Sequence, residues 1–277
     1  MEPTFATQAP IRMFETFQGR LIFGRTTRIR PLRPGPHAGR YRTTAHRLER
    51  PDGAVLEGWS ARPIDGAVDG VVLYFGGRNE NVVWAADMAS FNARRAVYAF
   101  NYRGFGGSTG RASERRAKSD AKAILDFVAA RETLANLAIV GRSLGTAIAL
   151  SLVPEAAPAS LVLMSPFDSV PDVVRSRRFG RMAAVLMTQR FECAPFAASH
   201  AGATLVLLAE DDASVPHAHS HRLCSRLTNT PQLRVIDGTT HQSLPRSPGA
   251  QAAIAAFLGA SPGLTSTASS GSRPTPA

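Results

Sequence analysis

Residues 137–150 read LAIVGRSLGTAIAL, two apolar runs joined by a serine between two glycines. The apolar run 137–140 is typical of a buried strand and 146–150 of a helix, which places Ser143 in a tight turn between them. Gly141 and Gly145 lack side chains, so the strand and the helix can approach closely. Such a turn presents the serine hydroxyl beside a helix N-terminus, whose N–H groups and dipole favour negative charge. The pattern in this position predicts that Ser143 is a catalytic nucleophile.

Short apolar runs alternate with helical stretches from residue 70 onward. Continuous apolar runs, rather than strict alternation, are typical of strands that are buried on both faces of a sheet. Strands that alternate with helices predict βαβ units, and therefore an α/β fold with a mainly parallel central sheet flanked by helices. The predicted strands are 71–75, 96–100, 137–140, 161–164, 205–209 and 233–236, and the predicted helices are 81–94, 113–131, 144–153, 217–228 and 250–258.

Composition divides the chain into three parts. Residues 1–45 form an Arg- and Pro-rich N-terminal segment, residues 46–260 the predicted domain, and residues 261–277 a Ser-, Thr- and Pro-rich tail that we expect to be disordered. A turn at 51–53 predicts a hairpin near the start of the domain. The stretch 166–203 is long for a simple crossover, so we expect a small helical cap-like insertion with one or two helices around 173–189.

The chain carries a formal net charge of +11, and much of the excess is arginine within residues 1–50. These arginines are interleaved with Pro and Gly and accompany no nucleic-acid-binding motif, so we expect no nucleic acid partner. They would allow weak contact with an anionic membrane. No apolar run reaches the ~18 residues of a membrane span, and no secretory signal pattern is present, which predicts a cytoplasmic location. The two cysteines form no metal-binding or disulfide pattern, and the predicted chemistry needs no cofactor or metal.

A nucleophilic serine needs a histidine base and a carboxylate that orients the base. When the serine lies on a strand-to-helix turn of this kind, the acid and then the histidine follow later in the chain, each after its own strand. His241 follows the strand at 233–236, and we predict that it is the base. The strand at 205–209 is followed by adjacent acidic residues. We predict that Asp212 is the triad acid, with Asp211 as the second candidate and Asp168, after the preceding strand, as a distant third.

Two backbone N–H groups are expected to stabilise the oxyanion of the reaction. One belongs to Leu144, which follows the nucleophile, and the other to Arg78, in the Gly-rich loop after the first parallel strand. Both assignments depend on Ser143 being active, because the same loop in an inert protein would be a plain strand-to-helix turn.

Four ordered motifs together resemble a known family. They are the loop at 73–82, the Tyr-Arg-Gly-Phe-Gly turn within 101–110, the serine turn at 141–149 and the Asp-x-x-Val-Pro turn at 212–216. Over residues 15–258 the chain resembles bacterial α/β hydrolases, and most of all the Bem46-like, or ABHD13/ABHD17-like, serine hydrolases. Gly76 departs from that family, which usually has a histidine there.

The resemblance implies an α/β-hydrolase fold and esterase, thioesterase or amidase chemistry on a small-molecule or lipid-like acyl substrate. It agrees with the assignment of Ser143, Asp212 and His241 as a catalytic triad. The alternative is a catalytically silent α/β-hydrolase scaffold that binds a ligand or a protein.

Overall fold

A computed structural model describes residues 18, 22–24, 40–65, 68–90, 94–177 and 180–259. Within this part of the chain, eight strands form one sheet in the order β1-β2-β4-β3-β5-β6-β7-β8. The first two strands and the β2–β4 pair are antiparallel, and the remaining pairs are parallel. The strands are β1 Tyr41–Glu49, β2 Val55–Pro63, β3 Gly70–Phe75, β4 Arg95–Phe100, β5 Leu137–Arg142, β6 Ser160–Met164, β7 Ala203–Asp211 and β8 Gln232–Thr240.

The central strands are largely apolar because helices cover both faces of the sheet. Strands β3, β4, β5 and β6 are buried at every position. One face packs on the helices that begin at residues 114 and 144, and the other on a 3-10 helix at Val82–Ser90 and the last helix. The α-helices are α1 Glu114–Ala129, α2 Leu144–Ser151, α3 Val153–Ala156, α4 Val170–Arg175, α5 Gly180–Val185, α6 Ala194–Ala197, α7 His217–Cys224 and α8 Pro248–Gly259.

The predicted sheet is confirmed, and the differences lie mostly at element ends. The first strand begins at Tyr41 and pairs with β2 in the predicted hairpin, so it starts inside the segment assigned to the N-terminal part. The helix predicted over 81–94 is a 3-10 helix. The helix predicted over 144–153 divides near Pro154, which cannot continue the hydrogen-bond pattern of a helix.

The segment 166–203 contains α4, α5 and α6, where the sequence predicted one or two helices. It starts directly after β6, so it lies at the edge of the sheet where the parallel strands end. The predicted disordered tail at 261–277 and most of the Arg-rich N-terminal segment fall outside the described residues, and the membrane contact of that segment stays a prediction.

Candidate active site

Ser143 occupies a strained turn between β5 and α2. Its φ of 48° and ψ of −118° lie outside the regions that residues with a side chain normally adopt. The neighbouring glycines make this turn possible. A Cβ at Gly145 would lie 2.6 Å from the Gly76 carbonyl oxygen and closer still to that of Phe75, and a Cβ at Gly141 would lie 2.7 Å from the Gly145 oxygen. The first and last residues of the motif are therefore glycines for steric reasons.

His241 and Asp212 form a buried pair. His241 Nδ1 lies 2.8 Å from Asp212 Oδ2 and 3.0 Å from Oδ1, although the two residues are in loops after different strands. The Asp212 side chain is 1% exposed and that of His241 10%. With Nδ1 held by the carboxylate, the other ring nitrogen is available to exchange a proton.

The local turn explains why Asp212 holds this position. Its Oδ1 also accepts the backbone N–H groups of Ser214, at 2.9 Å, and Val215, at 2.7 Å. The Asp-x-x-Val-Pro sequence thus folds its own carboxylate inward, with buried Val215 beneath it. Burial raises the pKa of Asp212, but the hydrogen bonds from His241 and from the Val215 N–H outweigh it and leave the pKa below its ordinary value.

The other two candidate acids lie elsewhere. Asp211 is exposed at the end of β7. Asp168 is paired with His219, whose Nδ1 lies 2.7 Å from its Oδ1, and it also accepts a hydrogen bond from Arg222 Nε at 2.7 Å. His219 Nε2 in turn lies 3.1 Å from Ser176 Oγ, so the chain contains a second Ser, His and Asp set away from Ser143.

Ser143 and His241 line one cavity of about 860 Å³. Within the described contacts, no hydrogen bond joins the Ser143 hydroxyl to His241; such contacts often tighten only in the complex with substrate. The cavity is bounded by the loop after β3, the segment after β6 and the loops after β7 and β8. The structure thus brings Ser143, Leu144, Arg78 and His241 to one cavity, with Asp212 behind His241.

The backbone N–H groups of Arg78 and Leu144, which line this cavity, have no hydrogen-bond acceptor among the described residues. Gly77 N–H is bound to Glu80 Oε2 at 2.6 Å, and Asn79 N–H to the Phe23 carbonyl at 3.1 Å. The amide between them, that of Arg78, has no acceptor among the described residues, and neither does that of Leu144 at the start of α2. Of the three consecutive amides at 77–79, only that of Arg78 can therefore receive a new acceptor.

A buried network centred on Glu80 was not predicted from the sequence. Oε1 accepts from the Tyr74 hydroxyl at 2.6 Å and from Trp84 Nε1 at 2.8 Å. Oε2 accepts from Gly77 N–H and from Arg142 Nη1, each at 2.6 Å. An acidic residue that follows a Gly-rich loop at the end of a buried strand was the available signal, because a carboxylate buried there needs several donors.

A second brace comes from the Tyr-Arg-Gly turn. The Tyr102 hydroxyl donates to the Gly76 carbonyl at 2.8 Å, and so supports the loop that carries Arg78. Arg103 forms two hydrogen bonds to Asp120 of α1, at 2.7 and 2.8 Å, which fix the turn against the helix. This motif therefore supports the loop from below instead of meeting the cavity itself.

Metal-binding clusters and membrane-spanning helices are two further features that bear on the predicted chemistry and location. Among the described side chains, no group of three or more His, Cys, Asp or Glu residues is arranged to hold a metal ion. In the same part of the chain, no helix has both the length and the apolar character needed to cross a bilayer. The cytoplasmic location stays a prediction.

Known proteins resemble this chain in both sequence and fold. The model of the family described as Serine aminopeptidase, S33 matches residues 66–202. An uncharacterized protein of Mycobacterium tuberculosis is 30% identical over 198 residues, which are 70% of this chain and 70% of that protein. Lysophosphatidylserine lipase ABHD12 of Gallus gallus is 40% identical over 88 residues, 30% of this chain and 23% of the lipase. The structure of the Pyrococcus furiosus esterase Pf2001 aligns with 85% of this chain and 96% of the esterase chain, at a TM-score of 0.66 and 15% sequence identity. At this identity the likeness is one of fold alone.

Proposed function

The chain belongs to the α/β-hydrolase superfamily, and from that premise we propose that it is a serine hydrolase of carboxylic esters or thioesters. The observation that carries the proposal is that Ser143, on a turn with positive φ, lines the same cavity as His241. The Nδ1 atom of His241 is held by the buried carboxylate of Asp212. The sequence similarity to a lipase supports ester substrates. The four sequence motifs support placement among the Bem46-like hydrolases.

In the proposed reaction, His241 removes the proton from Ser143 as the serine oxygen attacks the acyl carbon. Asp212 holds His241 in the tautomer that leaves its other nitrogen free, and stabilises the imidazolium that forms. The N–H groups of Leu144 and Arg78 donate to the tetrahedral oxyanion. His241 then gives its proton to the leaving alcohol or thiol, and an acyl-enzyme on Ser143 results. Water attacks that ester with His241 again as the base, which releases the acid.

Labelling with a fluorophosphonate probe tests the proposal, because only an activated serine reacts with it. We expect the protein to be labelled, and Ser143→Ala to lose both the label and the hydrolysis of p-nitrophenyl esters. Ser176→Ala is the matched control, since Ser176 also faces a His–Asp pair. Ser176 has helical φ and ψ and donates to the Val173 carbonyl at 2.9 Å, so we expect its variant to keep the label.

The rival function, a silent scaffold that binds a ligand or a protein, gives a different result. A folded wild-type protein with no label and no turnover of any ester would support the scaffold. Turnover by Ser143→Ala at the wild-type rate would reject Ser143 as the nucleophile.

A further inference from the structure

The cavity beside Ser143 has two unlike sides. Its apolar side belongs to the core on one face of the sheet and comes from the segment after β6 and the turn after β7. Trp84 and Leu244, which support the polar side, belong to the core on the opposite face. The cavity is therefore lined by two kinds of side chain: apolar ones from the segment after β6 and the turn after β7, and polar ones from the loops after β3 and β8. The apolar side includes Phe167, Val170, Val173, Met187 and Val215, and the polar side includes Arg78, Asn79, Asn81, Gln242 and Arg246.

The polar side carries positive charge that is not neutralised. Glu80 is the one acidic residue among the described residues that line the cavity, and its two oxygens are occupied by the donors described above, Arg142 included. Arg78 and Arg246 form no ion pair with a described carboxylate, and both side chains are exposed. Arg177, on the apolar side, donates to the Ser214 carbonyl. In a cleft of this kind, unpaired cations raise the local concentration of anions.

Arg246 is held in place for such a role. Its guanidinium lies over the Trp84 ring, 5.0 Å from the ring centre. The ring is fixed in turn, because its N–H donates to Glu80 at 2.8 Å. Arg246 ends a 3-10 helix whose Leu244 and Pro245 are buried, in the same loop as His241. A guanidinium stacked in this way keeps its N–H fork free for a phosphate or carboxylate.

We propose that Arg246, with Arg78, forms a subsite for an anionic group on the alcohol part of the acyl substrate. The inference rests on the proposed function, and it adds the substrate class: esters with an apolar acyl chain and a phosphate or carboxylate on the leaving alcohol. The acyl chain lies along the apolar side, Ser143 meets the ester carbonyl, and the anion meets the arginines.

Two esters that differ only by a phosphate group test the subsite. They are 1-octanoylglycerol and 1-octanoylglycerol 3-phosphate, both used as dissolved monomers. We expect kcat/KM to be at least about tenfold higher for the phosphate ester, since one charge-assisted hydrogen bond corresponds to about 10- to 100-fold. Added salt should reduce the preference. Because the proposed subsite recognises net negative charge, kcat/KM for the corresponding zwitterionic phosphocholine ester should be close to that for 1-octanoylglycerol.

Variants assign the preference to Arg246. Arg246→Gln should lose most of the preference for the phosphate ester, while its kcat/KM on 1-octanoylglycerol stays within about threefold of the wild-type value. Arg246→Lys should keep part of the preference. Arg115→Gln is the matched control, because it removes the same charge from an exposed position on α1 outside the cavity lining. Equal rates on the two esters in the wild type, or an unchanged preference in Arg246→Gln, would overturn the subsite.

A binding measurement tests the anion subsite independently of the proposed hydrolysis. Glycerol 3-phosphate is titrated calorimetrically into Ser143→Ala, which needs no turnover. We expect binding that weakens at least fivefold when Arg246→Gln is added and is unchanged when Arg115→Gln is added. Binding without hydrolysis of either ester would reject the proposed reaction and keep the anion site, whereas hydrolysis without binding or preference would reject the anion site alone.

Discussion

Glu80 and Arg142 form a buried ion pair, with 2.6 Å between Glu80 Oε2 and Arg142 Nη1. Arg142 directly precedes Ser143, and its Nη2 donates to the His241 carbonyl at 2.8 Å. Glu80 also holds the loop that carries Arg78. Burial lowers the pKa of Arg142, but the charge of Glu80, together with contributions from Tyr74, the hydrogen bond to Glu80 and Asp212, outweighs burial and leaves that pKa above its ordinary value. One pair therefore joins three of the segments that meet at the cavity: the loop after β3, the turn that carries Ser143 and the loop that carries His241.

Glu80→Gln should destabilise the protein strongly. The amide keeps the shape of the side chain but leaves Arg142 buried without its counter-charge, which typically costs about 3–5 kcal/mol. Glu155→Gln is the matched control, because the Lys122–Glu155 pair is exposed and such pairs are worth up to about 1 kcal/mol. Urea unfolding monitored by circular dichroism measures both. Similar losses in the two variants would contradict the role of the buried pair.

The choice of triad acid can be tested by two substitutions of adjacent residues. Asp212→Asn should lower kcat on p-nitrophenyl esters by about 10⁴, because the amide favours the wrong His241 tautomer and cannot stabilise the imidazolium. Asp211→Asn should change kcat by less than about threefold, since that side chain is exposed. A larger loss in Asp211→Asn than in Asp212→Asn would reverse the assignment.

The sheet could be predicted from the sequence because the signals for strands and turns lie in residues that are neighbours along the chain. An apolar run such as 137–140 and a glycine-flanked turn are visible in neighbouring residues, and strand order along the chain places the acid and the histidine after their own strands. Asp212 could be preferred over Asp211 because the sequence 212–216 resembles the Asp-x-x-Val-Pro turn that follows this strand in such hydrolases.

The Glu80 network and the pairing of Asp168 could not be read in this way. Glu80 and Arg142 are far apart in the chain, and their contact depends on how β3 and β5 pair. Asp168 meets His219 only because the segment after β6 packs against α7. Whether residues 82–90 form an α-helix or a 3-10 helix likewise depends on packing, since Asn101 Oδ1, just after the neighbouring strand β4, accepts the Val82 N–H.

The lowered pKa of Asp212 predicts how its contribution to stability depends on pH. A carboxylate with a folded-state pKa below its ordinary value, 3.8, stabilises the fold at pH values above that, and this contribution is lost as pH falls through the folded-state pKa. The unfolding free energy of the wild type minus that of Asp212→Asn should therefore decrease as the pH falls below about 4. A difference that stays constant as the pH falls through this range would contradict the contribution of the lowered Asp212 pKa to stability.

Gly145→Ala should damage both the fold and the site. The added Cβ would overlap the carbonyl oxygens of Phe75 and Gly76, and backbone atoms at a strand end cannot rotate away as a side chain can. Relief would require α2 to move from β3, at a cost of about 2–4 kcal/mol, and would separate the N–H groups of Leu144 and Arg78. Gly259→Ala, where the Cβ meets nothing within 4 Å, should change stability by less than about 1 kcal/mol. Thermal unfolding and fluorophosphonate labelling rates measure the two effects, and a Gly145→Ala protein that labels at the wild-type rate would show that the close approach of β3 and α2 is not required.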